Sequence, residues 1–173
     1  MDHLSDKNKM LLNAVNNNDL EAIDNALDQG ADINYRDPQY FNATMLHLAV
    51  TRNMVKVVKR LLERGAEFNI FHEASRSYPI HNAAVLGHIE ILENLIDSGC
   101  DINSKDHDGE TPILYALEAN QPDIVSFLIK KGADINFTHY GKTFDELFLE
   151  KKLPKEIRVE VAYLLNPQPS LSL

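Results

Sequence analysis

The chain has 173 residues, of which 44% are hydrophobic and 25% charged, and its formal net charge is −9. This composition is typical of a soluble folded protein of roughly one domain's length. The acidic balance argues against a nucleic-acid-binding surface and against attraction to an anionic membrane. The opening stretch MDHLSDKNKM has no apolar segment, and we expect neither a signal peptide nor a membrane span. The single cysteine, Cys100, fits a reducing compartment such as the cytoplasm.

One nine-residue phrase occurs four times, as ALDQGADIN, LLERGAEFN, LIDSGCDIN and LIKKGADIN. Its glycines, Gly30, Gly65, Gly99 and Gly132, are separated by 35, 34 and 33 residues. An alanine stands 16 residues before each glycine, whereas the stretch from one glycine to the next alanine varies in length. Periods of this size are typical of stacked supersecondary units, and the constant part predicts a fixed packing unit joined by adjustable loops.

Each constant part predicts two helices. An apolar quartet at positions i, i+1, i+4 and i+5 precedes each glycine, and this spacing forms one stripe along a helix. The glycine is typical of a left-handed residue that ends a helix. Breaks such as NNND, VLGH and ANQPD separate this helix from an earlier short helix that carries the alanine. The small alanines allow the two helices to approach closely.

Three further stretches, TMLHLAV at 44–50, YPIHNAAVLGHIEIL at 78–92 and TPILYAL at 111–117, resemble the Thr-Pro-Leu-His-x-Ala core of the ankyrin repeat. The GADIN phrases resemble the ending of that repeat. The resemblance implies an all-α solenoid of stacked helix-turn-helix units with projecting hairpin-like loops. It also implies that His47 and His81 brace adjacent loops by hydrogen bonding, and that the Asn side chains that end the phrases brace the hairpin-like loop that follows each of them.

We predict a single domain over residues 1–165, which we expect to be monomeric. It consists of an N-terminal cap, three internal repeats and a C-terminal cap, at about 5–34, 35–69, 70–103, 104–136 and 137–165. A terminal cap presents its outer face to water, and four polar residues lie on the first predicted helix: Lys7, Asn8, Lys9 and Asn13. The tail at 166–173, NPQPSLSL, is rich in proline, and we expect it to be flexible.

Two internal repeats depart from the family pattern. Tyr78 stands where a threonine is usual and Arg76 where the tip glycine is usual, so we expect the loop at 70–78 to have its own conformation. Leu114 replaces the usual histidine and thereby removes one bracing hydrogen bond from the third internal repeat.

We find no catalytic constellation in the sequence. The remaining histidines, among them His72, His88, His107 and His139, lack the paired spacing of a zinc site. The acidic stretch DHDGE loosely resembles a calcium loop but lacks the later bidentate glutamate, and it fits a solvated loop tip. Cys100 occupies a small position after Gly99 and is expected to fill space in the core. We therefore predict a protein that is not an enzyme and has no cofactor and no metal.

The resemblance implies that partner proteins bind a concave face made of the loop tips and the exposed sides of the first helices. Carried over residue by residue, this surface contains Arg36, Tyr40, Phe41, Arg52, Phe71, Ser75, Ser77, Asn82, Leu86, His107, Asp108, Glu110, Tyr115, Glu118 and Tyr140. The first tip, RDPQYFNA, is two residues longer than the third. Its two aromatic residues either stand exposed as interface anchors or pack back onto the stack.

Charge is unevenly distributed along the predicted tips. Basic residues lie in the N-terminal half and acidic residues lie further along; they are Arg36, Arg52 and Arg76, then Asp106, Asp108, Glu110 and Glu118. This distribution either orients a charged partner segment or is an ordinary solvated surface.

The predicted function is a non-catalytic protein–protein interaction module that acts by occupancy, as an adaptor, inhibitor or regulator. Frequent Asn, Lys and Ile indicate an AT-rich coding sequence, and ankyrin proteins of intracellular bacteria often act on host proteins. A bacterial effector working in a host cytosol is therefore one form of this prediction. The alternative is a substrate of asparaginyl hydroxylation, which family members undergo at this position. Asn136 fits that alternative better than Asn103.

Overall fold

The computed structural model describes residues 6–151 and 154–165. The tail at 166–173 and the first residue of the predicted N-terminal cap lie outside these residues. In chain order, the helices described are α1 (Asp6–Asn16), α2 (Leu20–Asp28), α3 (Met45–Thr51), α4 (Val55–Glu63), α5 (Pro79–Leu86), α6 (Ile89–Asp97), α7 (Pro112–Glu118), α8 (Pro122–Lys130), α9 (Phe144–Glu150) and α10 (Lys155–Leu165). A 3-10 helix spans Pro38–Tyr40, and the strands β1 (Thr138–His139) and β2 (Lys142–Thr143) form an antiparallel pair.

The helices stack in two layers. Helices α1, α3, α5 and α7 contact one another in order along one layer, and α2, α4 and α6 do so along the other, while α8 packs against α10. The apolar quartets supply the core between them, with side chains such as Val57, Leu92 and Val125 fully buried. The repeated alanines lie where the layers meet, and Ala49, for example, is fully buried. These contacts confirm the all-α solenoid of stacked units.

Left-handed residues end both helices of each repeated unit. The glycine of every phrase has a positive φ, between 87° and 93°. Twelve residues before it, a second residue has φ between 54° and 79° and ends the first helix; these residues are Asn18, Asn53, Gly87 and Asn120. Asparagine is the side-chain-bearing residue that best tolerates this conformation, so three of the four turns need no glycine. The sequence prediction that each phrase glycine ends a helix in this conformation is confirmed.

The loop tips become shorter from one unit to the next. In each unit the residue seven positions after the phrase glycine pairs across the tip, and the pairs are Asp37–Ala43, His72–Ser77, Asp106–Glu110 and His139–Lys142. The second member therefore follows the first by six, five, four and three residues. All the variation in repeat length thus lies in the tips, and the first tip is two residues longer than the third, as predicted.

Arg76 adopts the backbone conformation of the tip residue that it replaces. Its φ is +53°, in the same left-handed region as Asn42, Gly109 and Gly141 at the equivalent positions. The loop at 70–78 nevertheless differs from the other tips in length, as the cross-tip pair His72–Ser77 shows. Tyr78 provides no side-chain cap to α5, and neither does Thr111 to α7, whereas the Thr44 hydroxyl accepts a hydrogen bond from the His47 backbone.

Two of the phrase asparagines brace the neighbouring unit, whereas the sequence predicted that they brace the loop that follows them. The side-chain oxygen of Asn34 accepts a hydrogen bond from the Glu67 backbone at 2.9 Å, and that of Asn103 accepts one from Asp134 at 2.8 Å. Asn8 makes the same kind of contact to the Asp32 backbone and is buried. Its expected place on the polar outer face of α1 is therefore wrong, whereas Lys7, Lys9 and Asn13 do lie exposed.

Ion pairs connect the second helices along the outside of the stack. Arg64, directly after α4, pairs with Asp24 at 2.9 Å and with Asp28 at 2.5 Å, both on α2. Lys131, directly after α8, pairs with Glu93 on α6 at 2.9 Å. Exposed pairs of this kind contribute about 0–1 kcal/mol each. Across the described part of the chain, the helices are too short or too polar to span a membrane.

Candidate protein-binding surface

We call the surface made by the loop tips and the exposed ends of α3, α5 and α7 the inner face. In the first tip, the carboxylate of Asp37 accepts a hydrogen bond from the Gln39 backbone and starts the 3-10 helix. Phe41 then adopts a left-handed φ of +54°, and its side chain is 74% exposed. Tyr40 packs against the core, and the Arg52 guanidinium lies 5.5 Å from the centre of its ring. The two alternatives for this tip therefore each hold for one aromatic residue.

The second tip is tied to both of its neighbours. The Arg36 guanidinium donates a hydrogen bond to the Phe71 carbonyl. The Phe71 ring is half-buried and lies edge-on to Tyr78, with ring centres 5.6 Å apart. Its centre is also 6.2 Å from that of His107 in the next tip. These contacts hold Arg36 and Phe71 in place before any partner arrives.

Ser77 does not belong to the exposed surface, although the sequence places it there. It is fully buried at the base of the second tip, where its hydroxyl donates to the Asn82 side-chain oxygen at 3.1 Å and lies 3.0 Å from the Ser75 hydroxyl. Ser75 is exposed, and its hydroxyl lies 3.0 Å from His72 Nδ1. Asn82 is half-buried. The expectation for Ser77 is wrong because the pairing of Ser77 with His72 turns its side chain inward.

The basic and acidic residues of the tips are not fully separated in space, because Arg76 of the second tip contacts the third tip. Arg76 donates hydrogen bonds to Asp108 at 2.8 Å and to His107 Nδ1 at 2.9 Å, so a basic and an acidic tip residue neutralise each other. Within residues 6–151 and 154–165, neither Arg36 nor Arg52 forms an ion pair with a carboxylate. Among these residues, Arg36 and Arg52 near the first tip therefore have no carboxylate partner, and Lys105 is a further exposed cation in the third tip.

Asp106 organises the third tip from inside. Its Oδ1 accepts hydrogen bonds from the backbones of Asp108 and Glu110, and the Tyr115 hydroxyl donates to its Oδ2 at 2.6 Å. Burial opposes ionisation of Asp106, but the hydrogen bonds from Tyr115 and the backbone outweigh burial and lower the pKa of this carboxyl. Burial, together with the same hydrogen bond, raises the pKa of Tyr115. The polar group of Tyr115 is thus already engaged within the tip.

A second acidic cluster lies beside it, between the third repeat and the closing unit. His139 Nε2 is 3.3 Å from Glu118 Oε1 and 3.8 Å from Glu110 Oε1. Burial raises the pKa of Glu110, and the carboxylates of Glu118 and Asp106 raise it further. Sequence reasoning missed this cluster because His139 comes from a different unit, 29 and 21 residues after the two glutamates. The only signal was its position seven residues after Gly132.

Three large hydrophobic side chains of the inner face are exposed to solvent. Phe41 stands on the first tip, Leu86 at the end of α5 and Tyr140 on the last tip, where it is 90% exposed. Its ring lies 4.2 Å from that of His139. A separate apolar groove of about 470 Å³ lies at the far end of the stack, between α9 and α10. Leu149 and Val159 are exposed there.

The buried titratable groups serve the structure. His81 Nε2 donates to the carbonyl oxygens of Ser104 at 3.0 Å and Glu110 at 3.1 Å, which confirms its predicted bracing of the next loop. Burial, followed by the nearby His72 and Arg36, lowers the pKa of His47 to about 3, so this imidazole stays neutral. Burial raises the pKa of Cys100 to about 11, and a protonated thiol is a poor nucleophile.

Comparisons with known proteins agree with this architecture. A family model described as ankyrin repeats (3 copies) matches residues 11–106 and 71–139. Ankyrin repeat and SOCS box protein 6 of Homo sapiens is 32% identical over 124 residues, which cover 68% of this chain and 29% of that protein. Interferon antagonist OPG039 of Monkeypox virus is 30% identical over 128 residues, 73% of this chain and 43% of the viral protein.

Putative ankyrin repeat protein FPV219 of Fowlpox virus is 33% identical over 130 residues, which cover 74% of this chain and 28% of that protein. The chain thus spans less than half the length of each of these three relatives. The similarity supports the repeat architecture, and it extends over only part of each relative.

Proposed function

Since the chain belongs to the ankyrin-repeat family, we propose that it holds a partner protein on its inner face and acts by occupancy, without catalysis. Ankyrin repeats generally bind other proteins, and the family is generally non-catalytic. The observation that carries the proposal is the trio of exposed apolar side chains, Phe41, Leu86 and Tyr140. Exposed aromatic side chains on the surface of a folded protein are favoured anchors of protein interfaces, and Phe41 and Tyr140 are of this kind.

The rest of the inner face supports the proposal because its polar side chains are held by internal hydrogen bonds in the free protein. Tyr115 is hydrogen-bonded to Asp106, Arg76 to Asp108, and Arg36 to the Phe71 carbonyl. Side chains that are ordered in the free protein lose less conformational entropy when a partner binds. The exposed anchors therefore stand on a framework of polar residues that are largely satisfied internally.

The role we propose is that of an adaptor, inhibitor or regulator in a cytosol. Among the relatives, one is named as a SOCS box protein and another as a viral interferon antagonist. These names support a role in controlling another protein. The viral example also supports the form of the proposal in which a pathogen uses the chain as an effector in its host's cytosol.

Affinity capture with matched variants tests the proposal. The protein would be immobilised and exposed to lysates of the source organism and of any host, beside a Phe41→Ala/Leu86→Ala/Tyr140→Ala variant. A Leu149→Ala/Val159→Ala variant removes exposed apolar side chains at the other end of the stack and serves as the control. We expect a partner that wild type and the control retain and the triple variant loses.

Circular dichroism would establish that all three proteins are folded. A partner bound equally by the triple variant would move the binding site off the inner face. A partner lost only by the control variant would place it in the groove between α9 and α10. Failure to capture any protein from either lysate would contradict the proposed function.

Asparaginyl hydroxylation at Asn136 remains a second candidate, and one observation favours Asn136 over Asn103. The Asn136 side chain is exposed and donates to Asp134 within its own loop, whereas Asn103 is engaged by the backbone of the next unit. An enzyme can therefore reach Asn136 without opening a contact between units. Mass spectrometry of protein from its source cell would show one added oxygen on the peptide containing Asn136; an unmodified peptide would reject this candidate.

A further inference from the structure

The contact between the third repeat and the closing unit lacks the histidine that braces the unit before it. His81 reaches the carbonyl oxygens of Ser104 and Glu110 in the following tip. Leu114 occupies the equivalent position on α7 and has no hydrogen-bonding group to offer the last tip. Three polar side chains meet at this contact instead, namely Glu110 from the third tip, Glu118 from the end of α7 and His139 from β1.

The donor atoms of these side chains converge on one point. His139 Nε2 lies 3.3 Å from Glu118 Oε1 and 3.8 Å from Glu110 Oε1, and all three atoms are within 4.8 Å of one another. The nitrogen atom is completely buried and has no hydrogen-bond partner among the residues that the structure describes. The imidazole is held in place by its position in the β1–β2 hairpin and by the Tyr140 ring, 4.2 Å away.

The two glutamates differ from the other acidic side chains nearby. Asp106 is satisfied by Tyr115 and two backbone donors, and Asp108 is paired with Arg76. Within the described residues, the carboxylates of Glu110 and Glu118 are paired with His139 alone, and the Lys151 ammonium donates to the Glu118 backbone carbonyl at 3.3 Å. Burial of the half-buried Glu110 carboxyl raises its pKa, and the nearby carboxylates of Glu118 and Asp106 raise it further.

The nitrogen of His139 therefore faces two carboxylate oxygens. A lone pair on Nε2 directed at two anions would be repelled by them, so this geometry requires either a proton on Nε2 or a metal ion between the three atoms. A metal ion satisfies all three donors together, because it accepts electron pairs from the nitrogen and from both carboxylates.

We propose that Glu110, Glu118 and His139 bind one divalent transition-metal ion, with Zn²⁺ the best match, and that this ion fastens the closing unit to the third repeat. Zinc takes imidazole and carboxylate ligands at about 2.0–2.2 Å, with tetrahedral geometry and often one position open to water. Glu118 is half-exposed and can rotate to complete such a site. Ca²⁺ and Mg²⁺ prefer a larger set of oxygen ligands, and the imidazole disfavours them. The site does not depend on the proposed protein-binding function.

Titration calorimetry of the metal-free chain with ZnCl₂ tests the proposal. We expect saturable binding of one ion per chain to wild type. Glu118→Gln and His139→Gln should each weaken it by about tenfold or more, because the loss of even an outer-shell partner has an effect of that size. The controls Asp108→Asn and His107→Gln change the same residue types on the same face and should bind zinc like wild type.

Thermal unfolding supplies a second readout that does not rely on binding heats. Zinc should raise the unfolding midpoint of wild type and of the two controls, because the ion binds only the assembled site. It should have little effect on Glu118→Gln or His139→Gln, and CaCl₂ should have little effect on any of them. Acidification should weaken zinc binding, since protons compete for the same ligands.

Three results would overturn the proposal. One is the absence of saturable zinc binding to wild type, which would mean that a proton alone occupies the space between the three atoms. Another is unchanged binding by His139→Gln, which would place the ion elsewhere. The third is equal loss of binding in the controls, which would show attraction to the acidic surface in general.

Discussion

Two neighbouring contacts in the stack are fastened in different ways at the same structural position. Between the second and third internal repeats, the buried imidazole of His81 is hydrogen-bonded to two backbone carbonyls, on Ser104 and Glu110. Between the third repeat and the closing unit, Leu114 takes that position. The polar contact there lies nearer the surface and joins His139 to Glu110 and Glu118.

The difference shows that the same repeat can join its neighbour either through hydrogen bonds to the backbone or through a cluster of ionisable side chains. The hydrogen bonds of His81 need only a neutral ring, which burial maintains by lowering the pKa of this histidine. The contact of His139 needs a proton or a metal ion on Nε2, because its partners there are carboxylates. The middle contact is therefore made by hydrogen bonds to the backbone, whereas the end contact, under our proposal, is made by a bound metal ion.

The largest expected effect is a loss of stability in acid through the neutral histidines. The pKa of His47 is about 3 in the folded chain and about 6.5 when unfolded, so its contribution is complete above pH 6.5 and is lost as the pH falls towards 3. Between about pH 7 and pH 5 this residue should reduce the free energy of unfolding by about 2 kcal/mol. Urea unfolding at both pH values would measure it. His47→Gln should lose less than wild type, and an equal loss would contradict the assignment.

Replacing His81 by leucine should leave the contact between the second and third repeats without a hydrogen bond from this position, as at Leu114 in the next unit. The substitution removes the donor for two carbonyl oxygens and should cost about 1–2 kcal/mol of unfolding free energy. Leu114→Met is the matched control, because it conserves volume where no polar contact exists, and it should cost less than about 1 kcal/mol. Urea unfolding of both variants at neutral pH would test the comparison. Equal costs would mean that His81 acts through packing alone.

Asn103 and Asn136 offer a second comparison across the same two contacts. Asn103→Ala removes a hydrogen bond to the backbone of the next unit and should cost about 1 kcal/mol of unfolding free energy. Asn136→Ala removes a bond within its own exposed loop and should change the unfolding free energy by less than about 0.5 kcal/mol. Chemical denaturation would measure both. The reverse order would show that the phrase asparagines do not join units.

An effect of the same size as that of Asn103 is expected from the backbone at Arg76. Its left-handed φ of +53° strains a residue with a side chain, and glycine relieves that strain. Arg76→Gly should therefore be more stable than Arg76→Ala by about 1 kcal/mol, since both substitutions remove the exposed pair with Asp108. Unfolding midpoints of the two variants would show the difference. Identical midpoints would mean that the tip rearranges when the arginine is removed.

The regular part of the fold could be predicted from the sequence because it repeats. The phrase glycines predicted the left-handed helix ends, the quartets predicted the buried stripe, and the spacing predicted where the extra residues lie. Each of these features depends on residues within one unit. Local periodicity is therefore sufficient to recognise them.

The inner face was harder to predict because its contacts cross between units with tips of different length. The burial of Ser77 follows from a cross-tip pairing that composition does not reveal. Arg76 and Asp108 form a pair although they are 32 positions apart in the sequence. The basic and acidic tip residues are therefore separate along the chain but not in the structure. The approach of His139 to Glu110 also requires the registration of the last tip against the third.

Amide hydrogen exchange on the complex with a captured partner tests the central claim most directly. We predict that binding slows exchange in the tips, at 36–43, 71–77, 105–110 and 138–142, and at the exposed ends of α3, α5 and α7. Exchange in α2, α4, α6 and α8 should stay unchanged, since these helices form the other layer. Slower exchange confined to that layer, or to α9 and α10, would contradict the assignment of the inner face as the binding surface.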